Sequence, residues 1–312
     1  MSSSKQVDPD LPRLDTSPPD DPALPERSAV RRAFDAAAAD YETHAVMQNE
    51  VCDRLLERLE LTTVRPEVVL DLGAGTGRGA AALRRRCRGA TVIPIDLSER
   101  MLEIARGRAG WFRRMSPVCA DISRLPIAAR SVDLVFSSLG MQWLADPGAA
   151  FREIRRVLKP QGLFLFTTFG PDTLTELRQA WAEADGYAHV NSFPDMHDIG
   201  DELVRSGLVE PVMDVEHFTL TYERVRDLMA DLKRIGAHNV TTGRRRSLTG
   251  PGRMRRVTQA YEAFRQEGRL PATYEVVYGT AWAPIESQGA VVGTAGSVGV
   301  DELRSSLRRK KR

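Results

Sequence analysis

The sequence predicts an α/β fold, in which a parallel sheet carries helices on both faces. From residue 68 onward, short apolar runs alternate with stretches that have helical spacing. The runs are apolar almost throughout rather than at every second position, as strands buried on both faces of a parallel sheet are. In such sheets ligands bind beyond the carboxyl ends of the strands. The polar residues at those ends are therefore the first candidates for a functional site.

The composition is typical of a folded, water-soluble protein. Of the 312 residues, 42% are hydrophobic and 28% are charged, with a net charge of +2. There is no apolar run of about 18 residues, so we expect no membrane span. Three scattered cysteines predict neither a disulfide nor a metal site. The N-terminus has no apolar signal core and more acids than bases, so we expect a cytoplasmic protein.

One domain is predicted between two tails. Residues 1–27 hold six prolines and few apolar side chains, which predicts disorder. Residues 285–312 are rich in glycine, serine and valine and end in Arg308-Arg-Lys-Lys-Arg312, which predicts a flexible basic tail. The folded domain then spans 28–284.

Five strands are predicted from the short apolar runs. The second run contains Pro94, which has no amide hydrogen for the sheet, so we expect a bulge or an irregular strand there. The strands are placed at 68–72, 91–96, 117–121, 132–137 and 162–168.

The intervening stretches are predicted to be helical. Residues 28–60 have apolar side chains at three- and four-residue spacing, which predicts one long helix. Ser98 can cap a helix in which Met101, Leu102 and Ala105 share a face. The other predicted helices are 79–86 and 149–158, the latter ended by Pro160 and Gly162.

A glycine-rich loop follows the first strand, in Asp71-Leu-Gly-Ala-Gly-Thr-Gly-Arg-Gly79. Gly73, Gly75 and Gly77 let the backbone turn tightly and approach a ligand closely. A dinucleotide loop would have glycine at position 78, where this chain has Arg78, and no GK[ST] phosphate loop is present. The spacing resembles motif I of class I S-adenosylmethionine-dependent methyltransferases, (D/E)xGxGxG.

Polar residues at the next strand ends suit the same cofactor. Asp71 can pair with the ammonium group of S-adenosyl-L-methionine, and Asp96 can accept from both ribose hydroxyls. Asp121 can accept from the adenine amino group, while Ile122 and Met101 cover the two faces of the ring. The other predicted cofactor contacts are Gln48, Leu97 and Ser137.

Four further segments resemble a narrower family, the malonyl-[acyl-carrier protein] O-methyltransferases of biotin synthesis. They are the opening from Ala33 to Gln48, Ser137-Ser-Leu-Gly-Met-Gln-Trp143, Asp231-Leu-Lys-Arg-Ile-Gly-Ala237 with Gly243-Arg244, and Leu270-Pro-Ala-Thr-Tyr-Glu-Val-Val-Tyr278. Gly140 departs from the alanine frequent in that family, a change that we expect to affect packing. The resemblance, over residues 28–284, implies a Rossmann-like seven-stranded sheet, an N-terminal helical lid and a helical insert at about 222–269, before the last strand.

The family's reaction implies a methyl ester on the free carboxylate of a malonyl group carried by acyl carrier protein, the first step toward a pimeloyl chain. That carboxylate is ionised at neutral pH, so no general base is needed. The enzyme must instead align the reacting atoms and exclude water. The predicted catalytic residues are Tyr41, His44, Gln142, Trp143 and Arg244.

An arginine-rich region is the expected source of a cation for the substrate carboxylate. Residues 224–269 hold twelve Arg and Lys against four acids, a net charge of +8. Arg244 is predicted to grip the carboxylate with paired hydrogen bonds. The other basic residues can dock an acidic carrier protein.

Two alternatives remain open at the level of sequence. A methyltransferase acting on RNA or another small acid would also use the basic region. However, no RNA-binding module is recognisable, so nucleic acid is not an expected partner. A methyltransferase-fold hydroxylase or assembly factor of mitochondrial complex I shares the opening and the Gln142-Trp143 features, but the acidic N-terminus does not resemble a transit peptide.

Overall fold

A computed structural model describes residues 25–108, 115–187, 189–237, 239–240 and 250–285. Seven strands in these ranges form one mixed sheet in the order β3-β2-β1-β4-β5-β7-β6. The first five are parallel, and β7 runs antiparallel to both β5 and β6. The predicted α/β class and seven-stranded sheet are confirmed. The strands are β1 (Val68–Leu72), β2 (Thr91–Asp96), β3 (Val118–Cys119), β4 (Val132–Ser137), β5 (Leu158–Phe169), β6 (Val209–Tyr222) and β7 (Leu270–Trp282).

Helices connect the strands and cover both faces of the sheet. They are α1 (Arg27–Ala37), α2 (Tyr41–His44), α3 (Val46–Glu60), α4 (Arg78–Arg86), α5 (Glu99–Arg108), α6 (Pro147–Val157), α7 (Thr175–Ala182), α8 (Met196–Arg205), α9 (Val225–Arg234) and α10 (Pro251–Tyr261). Short 3₁₀ turns occur at Met141–Trp143 and Glu262–Phe264. None of the helices in the described ranges is long and apolar enough to cross a membrane.

The central strands divide the hydrophobic core between the two faces. Val69, Leu134 and Phe136 pack with side chains of α3 and α4, whereas Leu70 and Val135 pack with side chains of α6 and α8. All five are fully buried. Neighbouring residues of a strand point to opposite faces, so an unbroken apolar run serves both layers at once. This is why the apolar runs predicted β1, β2 and β4 with their observed limits.

The N-terminal region differs from the prediction of one helix over 28–60. Three helices occupy it, because the backbone leaves helical geometry at Asp40 and again at Ala45, where ψ is 43°. The short middle helix, α2, carries Tyr41 and His44. The break turns the chain across the carboxyl ends of the strands instead of letting it run straight past them.

The irregularity expected at Pro94 is absent from β2. The register of β2 with β1 is continuous through Pro94. The carbonyl of Ile95 accepts from Gly73 on the β1 side and that of Asp96 accepts from Ala120 on the β3 side. Successive residues of a strand direct their backbone groups to opposite sides, so the nitrogen of Pro94 faces β3. The pairing of β2 with β3 begins only at Ile95. The missing amide hydrogen therefore has no partner to lose.

Three other elements differ from their predicted limits. Strand β3 is only two residues long rather than five. Helix α6 ends at Val157 and β5 begins at Leu158, so Pro160 and Gly162 lie inside a strand instead of ending the helix. Strand β6 was not predicted from the sequence, although the exposure of its residues alternates along the strand. The final strand implied by the family resemblance is confirmed as β7, and Cys52, Cys87 and Cys119 are free thiols, as predicted.

Candidate active site

An open cavity of about 870 Å³ lies at the carboxyl ends of β1 to β4, beneath α1 and α2. The loop after each of these strands contributes to its wall. Eleven of the predicted site residues meet here. They are Tyr41, Gln48, Gly73, Gly75, Asp96, Leu97, Met101, Asp121, Ile122, Gln142 and Trp143.

The glycine loop shapes the floor of this first cavity. Gly73, Gly75 and Gly77 all have positive φ, between 53° and 80°. A side chain at Gly73 would come within 3.1 Å of the Cα of Gly140, so the two backbones pack in contact. Gly77 has a different role, because a Cβ there would lie 2.7 Å from the Cβ of Ala105. It permits α4 to pack on α5 and is not on the cavity wall.

Asp71 lies beneath the loop and not on the cavity wall. One carboxylate oxygen accepts from the backbone amide of Ala80, and Oδ2 has no hydrogen-bond partner among the described residues. Burial raises the pKa of Asp71 to about 7, and the negative charge of Asp96 adds to the rise. Asp71 thus does not border the first cavity, and its contact with the cofactor ammonium group stays a prediction.

Asp96 is on the wall, at the end of β2. Its Oδ2 accepts from the amide of Gly75 at 2.8 Å, and its Oδ1 accepts from the amide of Ser98 at 2.8 Å. Burial raises its pKa, although these hydrogen bonds act in the opposite direction. The carboxylate thus fixes the glycine loop while remaining at the cavity.

The end of β3 supplies the next part of the wall. Asp121 accepts from the amide and hydroxyl of Ser123, and it forms a 2.9 Å ion pair with Arg27 at the start of α1. Ile122 and Met101 add buried apolar surface. A carboxylate and two apolar side chains thus lie side by side on this part of the wall.

Aromatic rings from the N-terminal helices cover the cavity. The ring of Phe34 meets Trp143 edge-on at 5.2 Å and Tyr41 at 6.4 Å between centroids. Burial and the nearby charges of Asp96 and Glu42 raise the pKa of Tyr41 well above its usual value, so its hydroxyl stays protonated. Phe34 was not singled out from the sequence, where it appeared only as part of the opening motif.

Polar contacts fasten α1 and α2 to the loops that form the cavity. The hydroxyl of Ser98 donates to Asp35 at 2.6 Å. Glu42 accepts from the hydroxyl of Thr76 and forms a 2.6 Å ion pair with Arg108. The predicted N-terminal lid is thus attached to the loops after β1 and β2 as well as to the end of β3.

A second cavity of about 840 Å³ adjoins the first. The two share Gln48, Trp143, Phe169, Ile235 and Ala237 as common wall. The rest of the second cavity is lined mainly by apolar side chains of α7, α9 and the segment 189–193. The described walls of both cavities contain no Arg or Lys.

Comparison with known proteins identifies the family. Residues 70–166 match the family model described as a methyltransferase domain. The chain is 49% identical over 276 residues to the malonyl-[acyl-carrier protein] O-methyltransferase of Gallionella capsiferriformans, covering 86% of this chain and 95% of that protein. It is 53% identical over 267 residues to that of Laribacter hongkongensis, covering 83% and 90%. The chain belongs to the malonyl-[acyl-carrier protein] O-methyltransferase family.

Family membership confirms the resemblance drawn from the sequence motifs, and the RNA and assembly-factor alternatives find no support among these relatives. A solved structure agrees on the fold. Phosphoethanolamine N-methyltransferase 2 of Haemonchus contortus, in complex with phosphomonomethylethanolamine and S-adenosylhomocysteine, is 20% identical with a TM-score of 0.52, covering 83% of this chain and 60% of that one. The predicted class I methyltransferase fold is therefore confirmed.

In this family member, the side chain of Gln142 borders the first cavity, and only its amide nitrogen is hydrogen-bonded by the described residues. Its Nε2 donates to the carbonyl of Leu139 at 2.7 Å, and its buried Oε1 has no partner among the described residues. Leu139 has a φ of 50° and its amide donates to Thr167. Ser137 is fully buried behind the wall, where its hydroxyl donates to the carbonyl of Leu72.

One predicted catalytic residue is not brought to this site. His44 lines a separate cavity with Tyr222 and Asp231, on the other side of Gln48. Arg244 lies outside the described residues. By contrast, Trp181, His189 and Asn191 line the second cavity without having been predicted, because no motif or periodic pattern marks them.

Proposed function

We propose that this protein transfers the methyl group of S-adenosylmethionine to the free carboxylate of malonyl-acyl carrier protein. The methyl ester would prime the synthesis of the pimeloyl chain of biotin. The observation that carries the proposal is the pair of joined cavities. One has the polar strand ends that suit the cofactor, and the other is an apolar space beside it for the acceptor. The named activity of relatives at 41–53% identity supports the choice of acceptor.

The residues of the first cavity fit the cofactor. Asp96 would take the ribose hydroxyls, Asp121 the adenine amino group, and Ile122 with Met101 the ring faces. The close approach of Gly73 to Gly140 leaves only backbone beside the methionine part. When bound, S-adenosylmethionine supplies an electrophilic methyl group on its sulfonium.

The chain's own contribution is positioning and exclusion of water. The carboxylate acceptor is already ionised, so no proton has to be removed from it. Phe34, Tyr41 and Trp143 line the first cavity, and Trp143 is shared with the second. These aromatic side chains would exclude water from the bound carboxylate. The protonated hydroxyl of Tyr41 and the free amide oxygen of Gln142 are the polar groups available to orient the reactants.

The test is a methyl-transfer assay with labelled S-adenosylmethionine and malonyl-acyl carrier protein. We expect a base-labile methyl ester on the carrier protein. Acetyl-acyl carrier protein, which has no free carboxylate, is the control and should remain unlabelled. Absence of the ester under conditions where cofactor binding is measured directly would contradict the proposal.

The protein is proposed to act in the cytoplasm. The carrier protein is proposed to dock on the surface of α10. Arg253, on α10, lies 3.6 Å from Asp185, which is hydrogen-bonded to His189 on the wall of the second cavity. Arg255 is exposed on the same helix and has no acidic partner within 4 Å among the described residues. A basic surface at this position would attract an acidic protein and orient its carried group.

A further inference from the structure

A buried polar atom on the wall of the second cavity is left unpaired by the residues that the structure describes. Asn191 is only 7% exposed, and its Oδ1 has no hydrogen-bond partner among the described residues. Leaving such a group unpaired in the interior costs about 1–3 kcal/mol. The side chain nevertheless lines the cavity. Its placement therefore fits recognition of a ligand better than it fits stability.

The surroundings of Asn191 restrict the chemistry of that ligand. Leu177, Phe193 and Met229 make the wall around it apolar. An amide oxygen accepts hydrogen bonds, so it favours an N–H donor and disfavours an anion. The ligand is therefore a mostly apolar chain that carries an uncharged hydrogen-bond donor, an N–H or an O–H group.

The ends of the cavity show where such a chain would run. Gln48 and Trp143 are shared with the first cavity, which puts one end next to the methyl donor. On the side of α10, the wall is formed by His189, whose ring stacks flat on the ring of Trp181 with 3.6 Å between their centroids. The same imidazole is hydrogen-bonded to Asp185. Asn191 lines the same cavity as both ends, so a ligand that reaches from the α10 surface to the methyl donor enters the space that Asn191 borders.

From this geometry we infer that Asn191 accepts a hydrogen bond from a secondary amide of the thioester arm that carries the malonyl group. The inference rests on the proposed function and adds a specificity-determining residue to it. Asn191 recognises the arm and not the reacting carboxylate. It therefore distinguishes a malonyl group on an amide-containing arm from the same group on a plain alkyl thiol.

Two synthetic substrates isolate this hydrogen bond. Malonyl S-(2-acetamidoethyl) thioester contains one amide N–H, and malonyl S-(4-oxopentyl) thioester has CH₂ in its place and is otherwise the same. For the unaltered protein we expect kcat/KM to be about tenfold higher with the amide, the size of one net hydrogen bond. Equal kcat/KM values for the two substrates would overturn the inference without any variant being made.

The variant Asn191→Leu keeps the volume and removes the acceptor. We expect kcat/KM to fall more for the amide substrate than for the oxopentyl substrate, so that the tenfold preference is lost, and the melting temperature to stay the same or rise, because an unpaired buried polar atom is removed. Asn49→Leu is the matched control, since Asn49 lies on α3 and lines neither cavity. A lower melting temperature with an unchanged preference would show that Asn191 is only structural and would overturn the inference.

Failure of the proposed function can be told apart from failure of this inference. The acetyl S-(2-acetamidoethyl) and S-(4-oxopentyl) thioesters have no carboxylate to methylate, so calorimetry can measure their binding to the protein saturated with S-adenosylhomocysteine. Tighter binding of the amide compound, lost in Asn191→Leu, supports the inference even if no malonyl substrate is methylated. Equal binding of the two compounds would overturn it.

Discussion

Two aspartates near the carboxyl ends of adjacent strands have different surroundings in this site. Asp96 accepts two backbone hydrogen bonds and borders the cavity. Asp71 is buried below the loop with one oxygen unpaired. Both lie at a carboxyl end of a parallel strand, so both could be predicted as site residues. Only the fold decides which of them faces the ligand.

Asp96→Ala should abolish measurable cofactor binding. The change removes the predicted acceptor of the ribose hydroxyls and the carboxylate that holds the amide of Gly75. We expect the Kd for S-adenosylhomocysteine, measured by calorimetry, to rise at least about 100-fold, as loss of two charge-assisted hydrogen bonds allows. A variant that keeps its secondary structure and binds the cofactor normally would contradict this role of Asp96.

Asp71 should make folding stability depend on pH. Its pKa is about 7 in the folded protein against 3.8 when unfolded, so the folded state binds more protons between these values. The free energy of unfolding therefore falls as pH rises from about 4 to 7, by a few kcal/mol at about 1.4 kcal/mol per pKa unit. Asp71→Asn should reduce this decline and leave the part that the raised pKa of Asp96 contributes, and urea unfolding at pH 4.5 and pH 8 measures the difference.

The control for this prediction is Asp40→Asn, because Asp40 is exposed at the start of α2 and makes no side-chain cap. It should keep the pH dependence of the unaltered protein. If Asp71→Asn also keeps it, another group is responsible for the decline.

At the scale of elements, the N-terminal lid is formed by α1 and α2, which polar contacts join to the site. Asp35, Glu42 and Arg27 each bond to a different loop beside the cofactor cavity. The loops and the lid therefore stabilise each other. An ordered cofactor loop and a closed lid are expected to occur together.

Asp35→Ala should weaken cofactor binding, although Asp35 does not line the cofactor cavity. The change removes the bond from Ser98 to α1. Since a hydrogen bond to a charged group contributes about 1.5–3 kcal/mol, we expect the Kd for S-adenosylhomocysteine to rise about tenfold, with faster amide exchange in α1. Asp40→Ala, next to the lid but without a side-chain cap, should leave both values unchanged.

The strands could be predicted from the sequence where both of their faces are buried, because the run of apolar residues is then continuous. Strands β1, β2 and β4 were predicted with their observed limits, and Ser98 caps α5 as expected, its Oγ accepting from the amide of Met101. The breaks at Asp40 and Ala45 were missed because alanine-rich helical propensity continues through them. The wall of the second cavity was missed because its residues come from distant segments that only the fold brings together.

At the scale of the whole molecule, positive charge is concentrated in one region of the chain. The net charge is +2, but residues 224–269 alone carry +8. Several of these arginines are neutralised locally, as Arg224 is by Asp227 and Arg265 is by Glu262. Those that have no acidic partner within the described residues, such as Arg255, are the ones available to a partner protein.

Arg255→Glu should impair use of the carrier protein and not the chemistry. We expect KM for malonyl-acyl carrier protein to rise about tenfold at low salt, and the difference to shrink at 0.5 M salt, because screening weakens exposed charge contacts. The small thioester substrate should be methylated at the normal rate. Arg88→Glu, exposed beyond the end of α4, is the matched control. An equal effect of both variants would point to overall charge alone.

The wall shared by the two cavities has a consequence for protein engineering. Gln48, Trp143, Phe169, Ile235 and Ala237 belong to both cavities, but the remaining lining of the second cavity comes from none of the strands β1 to β4. Redesign of that lining can therefore leave the donor half of the enzyme unaltered. A library restricted to α7, α9 and the 189–193 segment could retune the length of the accepted chain, with cofactor affinity serving as an internal check that the scaffold is intact.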